Sequence, residues 1–205
     1  MAEDEREQSE SRRKNVVWIA RYSQILTFLF AQAISVVACV SLFLLLRGGG
    51  PWEEADATEM IAMVAVGLLL LVLSVIYMIV MVRVTFPRAL QRYQNSDDAP
   101  VLPILVDQPL SGPLECLLLS FTSATHKTQA FFFTSATINL ILIYFDENWF
   151  HLFLAFMSVF SIIWLTPTVG RLARFIQRAL DMSQQTHASK QDRMRREQAI
   201  GSPTS

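Results

Sequence analysis

Three sets of residues in this 205-residue chain have the types and spacing that chemistry requires. The first is Asp146, Glu147 and His151. Glu147 and His151 stand four apart, so on a helix they share a face, the arrangement from which metal sites and acid–base pairs are built. No His-Glu-x-x-His pattern accompanies them, and the other two histidines, His126 and His187, fall on the opposite side of the topology derived below. The expectation is solvated cap residues, with no metal and no cofactor.

The second set lies inside apolar sequence. Gln32 is eleven residues beyond Arg21, and Asn139 is twelve beyond Lys127, so the two amides reach comparable depth if each run is a helix; Thr137 lies close to Asn139. They are expected to hydrogen-bond across two helices, at ~0.6 kcal/mol per contact. The functional alternative is a polar lining for a solute or ion. The third set is basic: Arg88 and Arg92, then Arg171, Arg174 and Arg178. Cations at helical spacing beside apolar segments suit an anionic lipid surface. Nucleic acid is not an expected partner, because the same cations already serve topology.

Other chemistries lack their residues. There is no Gly-rich phosphate loop, nucleophile elbow or Cys/His metal pattern. Cys39 and Cys116 sit in or beside apolar runs and are expected to be buried thiols.

The elements that position these residues are dictated by hydrophobicity. The composition is 52% hydrophobic and 17% charged. Four uncharged stretches stand out, Tyr22–Leu46, Met60–Val82, Thr128–Phe145 and Asn148–Gly170. A hydrocarbon core of ~30 Å takes ~20 helical residues, and a water-facing helix seldom runs so far without a charge. Continuous apolarity at Leu68–Leu73 argues against the two-residue alternation of a membrane barrel. The Val36-Val37-Ala38-Cys39 run resembles a lipoprotein cleavage box, but apolar sequence continues to Leu46, so the first stretch is expected to be retained.

With four spans, sixteen of the 17 Lys and Arg residues fall on one side and Arg47 alone on the other. The positive-inside rule then places both termini and the central loop in the cytoplasm. Trp18 and Tyr22 at one edge, and Trp52 and Trp149 at the other, fit interfacial belts. The expected organisation is a charged N-tail at 1–21, a membrane domain at 22–170 with spans at about 22–46, 60–82, 128–145 and 148–170, a cytoplasmic loop at 83–127, and a basic C-tail at 171–205.

The connecting segments carry their own signals. Arg47-Gly48-Gly49-Gly50-Pro51 should stop the first helix, and Pro87 can open a short one. Asp146 and Glu147 close a tight turn and are expected to cap the fourth helix. Apolar 101–106 is expected on the membrane surface or against other helices. Residues 1–14 and 184–205 are expected to be disordered. Leu114, Leu117, Leu118 and Phe121 follow helical spacing, so the third helix is expected to begin near Pro113 and extend ~20 Å below the bilayer. The amphipathic segment Leu172, Phe175, Ile176 and Ala179, whose opposite face is basic, can either lie on anionic lipid or bury its apolar face against that stripe. The basic pairs Arg88–Arg92 and Arg174–Arg178 follow the even spans, which hints at a parallel duplication.

The expected fold is an all-α integral membrane protein: four transmembrane helices as two antiparallel hairpins, with cytoplasmic amphipathic extensions. Small residues Ala31, Ala33, Ser35 and Ala38, then Ala62, Ala65 and Gly67, offer faces for close helix approach. No span holds an interior Asp, Glu, Lys or Arg, which argues against a proton-driven pump. The expected role is a non-enzymatic interaction or assembly subunit, with a protein partner or a second copy, in a bacterial inner membrane. A small oligomeric channel or carrier is the alternative, and a lipid-modifying enzyme the third reading.

Overall fold

The computed structural model describes residues 15–48, 56–96 and 107–182. The tails at 1–14 and 184–205, the apolar 101–106 segment, Trp52 and His187 lie outside the described residues. Six α-helices follow in order: α1 Val16–Gly48, α2 Ala57–Val80, α3 Phe86–Gln94, α4 Gly112–Asp146, α5 Phe150–Trp164 and α6 Val169–Met182. A π turn, Met81–Thr85, joins α2 to α3. No strand occurs among the described residues.

Local chemistry sets the helix ends. Asn15 caps α1, its Oδ1 accepting the Trp18 N–H at 2.7 Å. The helix stops at Gly48, as the glycine run requires. Pro113 sits in the first turn of α4, where its missing N–H costs nothing. Pro87 opens α3 in its first turn, as expected, although α3 continues directly from the π turn. The proline cannot donate to the Arg83 carbonyl, and its ring crowds that turn. The backbone widens, the Phe86 N–H bonds the Met81 carbonyl, and one continuous helix runs from Ala57 to Gln94.

α4 is the axis of the molecule. Its 35 residues span about 52 Å. α1, α2, α3 and α5 all pack on it, whereas α1 and α2 make no close backbone approach to each other. The first expected hairpin is therefore opened, with α4 between its arms. α4 begins at Gly112, next to Pro113, as expected. Leu114, Leu117 and Leu118 bury against Leu172, Phe175, Ile176 and Ala179, and Val16, Ile19 and Tyr93 complete that core. A second core, of Phe132, Ala136 and Leu140 with Ile34, Ala155 and Ile162, fills the middle of the bundle.

The fourth stretch departs from expectation. It does not continue to Gly170 as one helix; α5 ends at Trp164 and α6 leaves at 60° after a break at 165–168. Pro167 removes an N–H, and the Thr168 Oγ1 caps the new helix by accepting the Arg171 N–H at 3.3 Å. The even helices of the two halves thus differ, one straight through a π turn and the other bent. By length and apolarity α1, α2–α3 and α4 are each able to cross a membrane, and the bent α5–α6 pair makes a fourth if taken as one span.

The core between α6 and the N-terminal part of α4 should be the sensitive joint of the fold. Leu172→Ala removes a fully buried side chain and is expected to cost about 2–5 kcal/mol. A lowered thermal midpoint in detergent, with earlier proteolysis after α5, checks this; an unchanged midpoint would mean that α6 is not docked.

Candidate functional site

The residues with chemical potential gather into two buried networks along α4. At the α4–α5 turn, the Asn139 Nδ2 donates to the Ser135 carbonyl at 2.8 Å and the Gly67 carbonyl at 3.3 Å. Both amide hydrogens are thereby used, so Asn139 Oδ1 faces His151 Nδ1 as an acceptor at 2.8 Å. The Nδ1 must carry its proton. On the other side, His151 Nε2 lies 2.9 Å from Asp146 Oδ2. A proton on either atom makes that contact a hydrogen bond. Asp146 Oδ1 accepts the Asn148 N–H at 3.0 Å.

These groups are withdrawn from the surroundings. Asn139 and His151 are 0% exposed and Asp146 6%. The expectation of solvated caps is therefore wrong for Asp146 and His151. Glu147 alone stays exposed, in the left-handed conformation at φ 52° that lets the chain reverse. At the start of α5 the Asn148 Oδ1 accepts the Phe150 N–H at 3.0 Å. Turning so tightly brings His151 back over Asp146, because five residues suffice to reverse the chain. No group of three or more His, Cys, Asp or Glu poised for a metal occurs among the described residues.

Gly67 is the backbone contact that admits this network. A Cβ there would lie 2.3 Å from Asn139 Oδ1 and 3.0 Å from His151 Nδ1. The small-residue face assigned to α2 is thus divided: Gly67 is buried, while Ala62 and Ala65 are exposed. Ser158 Oγ reaches Ser135 Oγ at 3.3 Å one turn deeper along α4.

The second network ties α1, α4 and α5 together. Gln129 Nε2 donates to Thr27 Oγ1 and to the Ile162 carbonyl, both at 3.0 Å. That carbonyl is available because Thr166, beside Pro167, donates its N–H to Ile163 instead. Gln129 Oε1 accordingly accepts from His126 Nδ1 at 2.9 Å, and His126 Nε2 meets Ser23 Oγ at 3.1 Å. Beside this network a groove of about 630 Å³ opens between α1 and α4, lined by Trp18, Tyr22, Thr122, His126 and Lys127 among others. Trp18 and Tyr22 stack at 5.5 Å there.

The sequence-derived pairs fare unevenly. Asn139 is in the polar seam as expected, but its partners are α2 and α5, not Gln32. Gln32 is exposed on the outside of α1. Helical phase explains the miss: equal depth does not fix which way a side chain faces. Thr137 is partly buried, and its hydroxyl makes no hydrogen bond in the structure. Cys39 and Cys116 are exposed, not buried, because both fall on outer helix faces. Arg88, Arg92, Arg174 and Arg178 are exposed, and Arg171 is half-buried. Gln129, His126, Ser23 and Thr27 were not singled out from sequence. Their signal was the spacing of polar residues at three and four along two neighbouring helices.

The apolar helices mark the chain as a membrane protein. Compared with protein-family models, with curated proteins and with solved structures, it matches none.

The Asp146–His151–Asn139 network should fail through geometry as well as chemistry. Gly67→Ala is expected to destabilise by about 1–3 kcal/mol, since Asn139 cannot move aside without giving up its bonds to Gly67, Ser135 or His151. His151→Ala strands Asp146 and Asn139 Oδ1 and is expected to cost at least as much. Thermal unfolding in detergent reads both; a Gly67→Ala midpoint equal to the parent's would contradict the close approach.

Proposed function

We propose that this chain is a non-enzymatic assembly subunit of a membrane complex, docking a partner span through the outer face of α1. The observation that carries the reading is Gln32. Its amide lies near the middle of a 25-residue uncharged stretch, is exposed, and has no hydrogen-bond partner among the described residues. Facing hydrocarbon, an unpaired amide costs several kcal/mol. A neighbouring helix that bonds it removes that cost. An amide both donates and accepts, so two copies of Gln32 related by a two-fold axis satisfy each other, which makes a second copy a chemically complete partner. Ser35, also exposed, bonds its own helix at the Ala31 carbonyl and leaves a small surface beside Gln32 for close approach.

A non-catalytic role agrees with the buried networks. Both nitrogens of His151 and both of His126 are already engaged within the protein. The alternative of a solute route between α1 and α4 loses its residue pair, since Gln32 and Asn139 face different surroundings. The reading counts α5 as the fourth span, with α6 leaving it at the membrane surface, and takes the Lys and Arg distribution to put both termini in the cytoplasm of a bacterial inner membrane.

Two measurements test it. Extracted in mild detergent, the protein should migrate as a dimer or with a stoichiometric companion, and Gln32→Leu should reduce that species at least about fivefold at equal fold content, the scale of ~1 kcal/mol for one intramembrane contact. Oxidation in membranes tells the two partners apart: Cys39 lies two turns from Gln32 on the same face, so copies that pair through α1 crosslink there even with Cys116→Ser. A monomer for both parent and Gln32→Leu overturns the proposal. For orientation, a fluorescent reporter fused at the C-terminus is expected to glow and a periplasm-dependent phosphatase to stay silent; the reverse pattern would invert the topology.

A further inference from the structure

A second groove, of about 430 Å³, lies where the π turn and α3 meet α6. Its floor is aromatic. Phe86, Phe121 and Phe175 form a closed cluster with ring centroids 4.5, 4.4 and 5.9 Å apart. Its wall is cationic, built from Arg171, Arg174 and Arg178, and no acidic residue lines it. Among the described residues, none of these guanidinium groups pairs with a carboxylate. Their contacts are with main-chain carbonyls: Arg171 with those of Trp164 and Thr166, and Arg174 with that of Gly170 at 3.3 Å.

Those contacts have a structural reason. The break at 165–168 leaves carbonyls without helical donors, and Arg171 takes two of them. It is held while its guanidinium also lies 5.7 Å from the Trp164 ring centroid. Trp164 is 64% exposed, which suits a ring at the headgroup level. The bend therefore sets a row of positive charge, with Arg171 held in place, at that level, beside an apolar slot of a size typical of small-molecule sites.

We propose that this groove binds one anionic phospholipid, its phosphate against Arg174 and Arg178 and the upper part of its acyl chain on Phe86, Phe121 and Phe175. Charge complementarity selects the headgroup, and the aromatic floor selects an occupant with a chain. A free phosphate uses only half of the site. Arg88 and Arg92 are equally exposed but do not line the groove, so they separate a built site from general surface charge.

The test uses the full-length protein in neutral detergent, with native mass spectrometry counting retained lipid. Phosphatidylglycerol should be retained at one copy per chain, about tenfold or more over phosphatidylcholine, the scale that two surface cations supply. Arg174→Gln/Arg178→Gln should lose that preference, while Arg88→Gln/Arg92→Gln stays within about twofold of the parent. The lysine pair Arg174→Lys/Arg178→Lys keeps the charge, should retain the preference, and gives the reading if the glutamine pair does not fold. Equal loss for both glutamine pairs, no preference between the two lipids, or displacement by glycerol phosphate as effective as by intact lipid would each overturn the proposal.

Discussion

A helix surrounded by other helices has no water to turn to, and α4 is such a helix. It carries Thr122, Thr125, Thr128, Gln129, Ser135, Asn139 and Asp146 in buried positions. Each must find its hydrogen bond inside the protein. The threonines do so within α4, bonding carbonyls one turn back, as Thr125 does to Phe121 and Thr128 to Ala124. Gln129 and Asn139 reach outward, to α1 and α5 in one case and to α2 and α5 in the other. The longer side chains therefore fix which helices surround α4 and at what height. Apolar packing alone, between surfaces as oily as lipid, is less selective.

The same requirement governs the two proline sites. At Pro87 the chain keeps its direction because a π turn absorbs the missing donor. At Pro167 it bends, and the orphaned carbonyls are taken by Gln129 and Arg171. One residue type thus gives a straight helix or a 60° elbow according to what surrounds it. With the elbow, the apolar face of α6 lies on the lower part of α4 and its arginines turn outward. The amphipathic pattern of α6 is meaningful only in that posture.

Much of this was legible in the residues. Long uncharged runs imply helices in lipid, and the stripes at 114–121 and 172–179 find each other because each is half of one apolar interface. Polar residues were harder. Asn139 could be recognised as interhelical, yet its partner could not, since depth along a helix leaves rotation about the axis undetermined. His151 was misjudged for a related reason. Its neighbours in sequence are acidic and polar, which suggests a wet loop, whereas a five-residue reversal folds it under the end of α4.

What the chain by itself determined is the membrane class, the long α4 and the amphipathic α6, because hydrophobic length and periodicity act through free energies that are local to each segment. Tertiary structure alone decided that α4 separates α1 from α2, that Gly67 admits the Asn139–His151 contact, and that Gln32 faces out. Those outcomes depend on rotation about helix axes and on approaches of a few ångströms between segments distant in sequence, and no local pattern encodes either.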